Sequence, residues 1–193
     1  MTVKEMAGRC QIGVMGSAND VLNEADRQRL LETAERLGAA IAASDCLLIS
    51  GATTGLPDMV SRAVRRHGGM TVGISPAANA TEHSEQYQYP LDAADVMIYT
   101  GFGLKGRNVI NIRSSDVVVI FGGGMGALNE FTIAFDEGKV IGILEGSGGI
   151  ADHLREIISF ANKSTTACVI YGAEPERLID DCLTEWRRRQ AGT

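Results

Sequence analysis

Short apolar runs alternate with helical stripes along almost the whole chain. Gln11 to Met15, Cys46 to Ser50, Met70 to Ser75, Asp95 to Tyr99, Asp116 to Phe121, Val140 to Leu144 and Ala167 to Tyr171 are brief and mostly aliphatic. They are too short for helices and have the length of buried strands. Between them the apolar positions fall at helical spacing. Leu30, Ala34, Leu37 and Ile41 mark one face ending near Ala43, with Asn23 placed to cap that helix and Asp26 three residues on. Val60 and Val64 mark a second helix reaching His67, and Arg107 opens the helix before the fifth strand. Leu128, Phe131 and Phe135 follow that strand, and Ile150, Leu154, Ile157 and Ile158 follow the sixth. Pro175 starts the last helix, whose stripe is Leu178, Ile179, Cys182, Leu183 and Trp186. Strand, turn and helix repeated with short connections predict an α/β fold: a doubly wound sheet of about seven parallel strands with helices on both faces.

Two segments break the rhythm. Residues 1–10 read as a loose lead-in. Residues 76–94, PAANATEHSEQYQYPLDAA, are polar, carry two prolines and are long for an α/β connection. Such a segment is either a lid or interface element or a solvated excursion. Arg187, Arg188 and Arg189 suit the C-terminal end of a helix. No repeat, low-complexity tract or linker divides the chain, so residues 1–193 are expected to form a single domain.

The turns are glycine-rich. Gly16-Ser17-Ala18-Asn19, Gly51 to Gly55, Gly101 to Gly106, and Gly122, Gly123, Gly124 and Gly126 each follow a predicted strand, and Gly146, Gly148 and Gly149 follow the sixth. Open α/β sheets place ligands at such turns, beyond the carboxyl ends of the strands. The run after the fifth strand invites an anion, because glycines let backbone N–H groups approach and the helix N-terminus adds partial positive charge. Gly122-x-Gly124-x-x-Ala127 also matches a dinucleotide fingerprint, with Glu145 as the acid ~20 residues on; this makes an NAD-type site one alternative. Gly101-x-Gly103-x-x-Gly106 lacks such an acid. Neither a G-x-x-x-x-G-K-[ST] loop nor a G-x-S-x-G nucleophile elbow is present.

Composition narrows the partners. The formal charge is −6, which argues against a nucleic-acid or anionic-membrane surface. Cys10, Cys46, Cys168 and Cys182 form no C-x-x-C, and three of them sit in or beside apolar runs, which suggests small buried side chains; reduced thiols fit the cytoplasm. The N-terminus has no signal-like apolar stretch and no segment is long enough to span a bilayer. His67, His83 and His153 show no ligand spacing, so no metal site is expected.

Arg107 and Glu130 stand near the starts of helices that follow consecutive strands. If those strands are neighbours, both side chains rise from one edge of the sheet. An arginine there can fork onto phosphate or carboxylate. A fixed carboxylate beside a phosphate cradle can stabilise the oxocarbenium-like sugar of a glycosidic cleavage. The alternatives are a structural ion pair of Arg107, with Asp116 or Asp95, and a helix-end role for Glu130. A capping box is excluded for Glu130, because Ala127 stands where it needs Ser or Thr.

Gly123-Gly124-Met125-Gly126, followed by Glu130, resembles the P-G-G-x-G-T-x-x-E motif of the LONELY GUY family, proteins long mislabelled "possible lysine decarboxylase". The arginine that the family pairs with this glutamate falls on Arg107 without a gap. Gly16-Ser17 resembles the family's first phosphate-side turn, and Gly51 to Gly55 its second. The resemblance implies a Rossmann-like, three-layer αβα fold and a homodimer or higher oligomer. It implies a phosphorylated small ligand, such as a nucleoside 5′-monophosphate, held by Gly16, Ser17, Gly51, Thr54, Gly55, Asn108 and the run Gly122, Gly123, Gly124, Met125, Gly126, Ala127. It also implies a phosphoribohydrolase, with Arg107 and Glu130 catalytic and no cofactor required. Three departures stand out: Gly122 replaces the motif's proline, Ala127 its threonine, and Leu104-Lys105-Gly106-Arg107-Asn108 an M-H-x-R-K run. They make the chain similar to a short bacterial branch that includes molybdenum-cofactor carrier proteins. That branch implies the alternative of a non-catalytic carrier or sensor with a bound nucleotide or molybdopterin-type ligand.

Overall fold

A computed structural model describes residues 9–17 and 24–192. The chain order is β1 (Gln11–Gly16), α1 (Glu24–Ala43), β2 (Leu47–Ser50), α2 (Leu56–Arg66), β3 (Met70–Ser75), α3 (Ala80–Glu85) and β4 (Val96–Tyr99). It continues with α4 (Gly103–Arg113), β5 (Val117–Phe121), α5 (Met125–Asp136), β6 (Val140–Leu144), a 3-10 turn (Gly149–His153), α6 (Leu154–Ala161), β7 (Cys168–Gly172) and α7 (Pro175–Ala191). The expected cap at Asn23, and Ala18 and Asn19 of the first turn, lie outside the described residues.

All seven strands are parallel, in the order β4-β3-β2-β1-β5-β6-β7. The chain steps outward from β1 to β4, then returns through α4 to the other side of β1 and steps outward again to β7. Right-handed crossovers in opposite directions put their helices on opposite faces. One core layer accordingly joins α1, α2 and α7 to the sheet through Leu37, Ile41, Val60, Ile179 and Cys182. The other joins α4, α5 and α6 through Ile112, Phe131, Ala134 and Leu154. β5 is buried along its whole length, as a strand covered on both faces must be. Each of its fully enclosed aliphatic side chains contributes about 1.5–3 kcal/mol relative to exposure.

Three local expectations are corrected. β4 and β5 are consecutive in sequence but not neighbours, since β3, β2 and β1 lie between them. The glycine run 101–106 is not all turn: α4 begins at Gly103, so Gly106 is helical and Arg107 sits in the second turn. Glycine disfavours helix by about 1 kcal/mol, which packing readily overrides. Segment 76–94 contains α3, whose Asn79 cap accepts from Glu82 N at 2.9 Å while Glu82 Oε2 accepts from Ala78 N at 2.8 Å. That reciprocal arrangement is close to a capping box.

Cys10, Cys46 and Cys182 are buried and all four thiols are free. Burial pushes Cys182 up to about 12, which keeps it protonated and inert. Among the described residues no helix is long and apolar enough to cross a membrane.

Candidate functional site

The sheet reverses its direction of growth between β1 and β5, and a cleft of about 310 Å³ opens at the carboxyl ends of the strands there. This is where an open α/β sheet leaves a crevice, because the two crossover series diverge. Among the described residues its walls come from five places: Val14, Met15 and Gly16 of β1, Gly51, Thr53 and Pro57 around the β2–α2 turn, and Tyr89 of the β3–β4 connection. Leu104, Lys105, Arg107 and Asn108 of α4 and Gly126, Ala127 and Glu130 of α5 complete it.

Arg107 and Glu130 meet inside this cleft. Arg107 Nη1 donates to Glu130 Oε1 at 3.1 Å, and each side chain is only 7% exposed. Although β4 and β5 are far apart in the sheet, α4 runs back across it and lies against α5, and that return delivers the arginine. The Asn111 amide lies 2.8 Å from Arg107 Nη1 in the orientation that presents its oxygen to that donor, and its nitrogen then faces Ser50 O at 3.3 Å. Asn108, oriented likewise, donates to Glu130 Oε1 at 3.2 Å and to Leu104 O at 2.9 Å. Arg107 Nε is buried without a hydrogen-bond partner among the described residues. Burial holds the arginine below its ordinary range, with Glu130 opposing. Burial likewise raises Glu130, with Arg107 opposing. Each of the two therefore depends on the other for its charge.

Asp116 and Asp95, the other candidate partners of Arg107, are engaged elsewhere. Asp116 accepts from Gln11 N at 2.9 Å. Asp95 accepts from Thr71 N and Oγ1, both at 2.9 Å, and pairs with Arg65 at 3.1 Å.

Gly51 exists as glycine for Arg107. A Cβ there would stand 2.4–2.8 Å from the guanidinium atoms, so the arginine lies flat on the backbone. Gly124 and Gly126 are different. A Cβ at either would meet nothing within 4 Å, and neither has a positive φ. Nothing among the described residues requires these glycines, and those residues leave the N-terminus of α5 open. Among the described residues that helix has no side-chain cap, and its first turn holds no acidic residue, so its leading N–H groups and its dipole are available to an anion. Lys105 is exposed at the same mouth and has no ion pair among the described residues.

Of the expected ligand-binding residues, Gly16, Gly51, Asn108, Gly126 and Ala127 line the cleft. Gly122 and Gly123 turn toward the following loop: Gly122 N donates to Ser147 Oγ at 2.8 Å, and Gly123 O accepts from Ile150 N at 2.8 Å. Both have positive φ, 64° and 96°, which glycine adopts without cost. Ala127 packs beneath Gly123, its Cβ 2.4 Å from where a Cβ on Gly123 would stand. Gly55 caps α2, Ser17 O accepts from Leu56 N, and Thr54 O accepts from Thr53 Oγ1. Met125 is 76% exposed at the start of α5. Glu145, the acid of the dinucleotide fingerprint, pairs with Arg155 at 3.2 Å, and Arg155 covers the Tyr171 ring at 3.8 Å.

Lys105, Thr53 and Tyr89 were not foreseen. The available signal for Tyr89 was the pair Tyr87-Gln88-Tyr89 within a polar stretch of a chain that is only 5% aromatic. The structure explains how the loop presents it. His83 is completely buried, with Nδ1 2.8 Å from Ser75 Oγ and Nε2 3.2 Å from Pro90 O. Its ring stands edge-on to Tyr89 and Tyr99.

The sheet order and the cleft at its reversal define a doubly wound, all-parallel α/β protein with a ligand-sized crevice at the switch point. The chain belongs to the SLOG cluster4 family, whose model matches residues 9–179. It is 33% identical over 135 residues to an uncharacterized protein of Archaeoglobus fulgidus, covering 70% of this chain and 80% of that one. It is 32% identical over 169 residues to a cytokinin riboside 5′-monophosphate phosphoribohydrolase of Mycobacterium marinum, covering 80% and 83%. The molybdenum cofactor binding protein of Rippkaea orientalis superposes with a TM-score of 0.72 at 29% identity, over 93% of this chain and 98% of that one. These likenesses agree with the LONELY GUY-like branch that the glycine run and Glu130 indicate in the sequence.

Proposed function

We propose that the cleft binds a small phosphorylated ligand of the nucleoside 5′-monophosphate kind and hydrolyses its N-glycosidic bond. The observation that carries this reading is the buried Arg107–Glu130 pair, which lies in the same cleft as the open N-terminus of α5. The phosphate sits on the leading N–H groups of α5, where Gly124 and Gly126 leave room, and Lys105 adds a mobile positive charge. The similarity to a phosphoribohydrolase of Mycobacterium marinum supports the same assignment.

In this reading the bond from the sugar C1′ to the base nitrogen breaks, and its electron pair leaves with the base. Positive charge develops on the sugar, and the Glu130 carboxylate is already fixed in place to stabilise it. Water adds at C1′ and a proton passes to the base, giving free base and ribose 5-phosphate. Arg107 opposes the rise that burial imposes on Glu130 and holds the carboxylate in one orientation.

A carrier without chemistry is the second reading. Ala127 favours it, since the wall of the cleft there lacks a hydroxyl to grip phosphate, and so does the likeness to the Rippkaea orientalis protein. The test is base release. The chain is incubated with a panel of nucleoside 5′-monophosphates, with Glu130→Gln alongside, and free base is followed by chromatography. Release by the wild type alone supports the hydrolase. Ligand binding without release by either protein transfers the assignment to the carrier.

A further inference from the structure

We infer that Tyr89 is the specificity-determining residue of this cleft, meeting the flat heterocycle of the ligand while the helix N-terminus meets its phosphate; this rests on the reading just given and deepens it. The two contacts come from opposite sides of the switch point. Tyr89 belongs to the loop that His83 ties to Ser75 at the end of β3, whereas α5 begins beyond β5. β3 and β5 are three strand spacings apart in the sheet, or about 14 Å. A ligand that is anionic at one end and aromatic at the other matches those two ends, with Arg107 and Glu130 also lining the cleft.

The Tyr89 ring is held in place before any ligand arrives. Tyr87 stacks on it at 5.7 Å and 21°, and His83 meets it edge-on at 5.6 Å and 62°. Tyr89 N donates to His83 O at 3.1 Å. Between the two tyrosines Gln88 takes a left-handed backbone, φ 56°, a conformation that costs a non-glycine residue energy and recurs at functional sites. What remains of the ring lines the cleft. Arg107 lines the same cleft, and the Tyr89 hydroxyl makes no hydrogen bond among the described residues. A pre-oriented aromatic ring at the cleft wall, its hydroxyl unpaired among the described residues, suits a purine- or pterin-like ring, because packing on a rigid ring loses little freedom on binding.

The experiment uses AMP and ribose 5-phosphate, which share the phosphorylated sugar and differ at C1′, where one carries adenine and the other a hydroxyl. Affinities are measured by calorimetry on chains carrying Glu130→Gln, so that AMP stays intact. Tyr89→Leu and Tyr89→Phe both fill the space under Tyr87 and His83. Tyr89→Leu is expected to weaken AMP about tenfold or more and leave ribose 5-phosphate unchanged, while Tyr89→Phe keeps AMP within about threefold. Equal losses for both probes, or no loss of AMP, would overturn the assignment of Tyr89 and leave the phosphate site standing. If the Glu130→Gln parent binds neither probe, the phosphate-site reading itself fails, and this inference with it.

Discussion

Arg107 and Glu130 form a buried ion pair 3.1 Å long across two helices that follow the edge strand β4 and the central strand β5. Asn111 steadies the arginine and Asn108 the carboxylate. The pair is enclosed enough that removing one member leaves the other a buried, uncompensated charge.

Arg107→Ala is therefore expected to destabilise the fold by about 3–5 kcal/mol, read from urea denaturation at neutral pH. The loss should shrink in acid. Burial places the folded-state pKa of Glu130 above its unfolded value, so its protonated form is the one that folding favours. The stability it contributes is full below the unfolded carboxylate range and is lost as pH rises through the raised folded value. Without Arg107 that value rises further, and the variant should weaken steadily from acid toward neutral pH. Adding Glu130→Gln to Arg107→Ala should abolish this slope. A slope that persists in the double variant would remove Glu130 as its source.

Gly126→Ala separates ligand approach from folding. Among the described residues the added methyl meets nothing within 4 Å beyond its own stretch of helix, and alanine is the better helix former by up to about 1 kcal/mol. The melting temperature should hold or rise, while affinity for AMP falls about tenfold as the methyl intrudes on the helix N-terminus. Unchanged affinity would place the phosphate elsewhere.

Lys105→Ala should leave stability alone, because the side chain is exposed and forms no ion pair among the described residues. AMP binding should weaken several-fold at low salt, by roughly 1 kcal/mol. The gap between wild type and variant should close as salt is added, since an exposed charge is screened. A gap independent of salt would argue against direct phosphate contact.

His83→Ala removes a wholly buried ring and two polar contacts from the β3–β4 connection. A loss of about 2–4 kcal/mol is expected. Limited proteolysis should find new cleavage between residues 76 and 94. Protection equal to the wild type would mean that the loop is held by its other contacts.

Much of this architecture was legible in the residues. Met70–Ser75 and Val140–Leu144 have the same limits in the pattern and in the structure, because a parallel strand buried on both faces shows as an uninterrupted apolar run. Arg107 and Glu130 were recognisable from their places after two glycine turns. The reason for their meeting was not. Local pattern does not say which strands pair, and β4 and β5 turned out to be separated by three others. The short helix α3 went unnoticed although Asn79 and Glu82 carry a capping signature, since six residues give helical periodicity no room to show. Tyr89 could not be placed, because its position depends on His83 reaching back to Ser75, a contact that spacing does not encode.

Gly51 has a use outside this one chain. Its missing side chain is the floor on which the Arg107 guanidinium rests, so the two positions are tied in any relative that shares this backbone. A homologue with a larger residue at the position of Gly51 must place its arginine differently, and the contact with Glu130 changes with it. That single column of an alignment would sort relatives that keep the ion pair from those that have given it up, before any of them is purified.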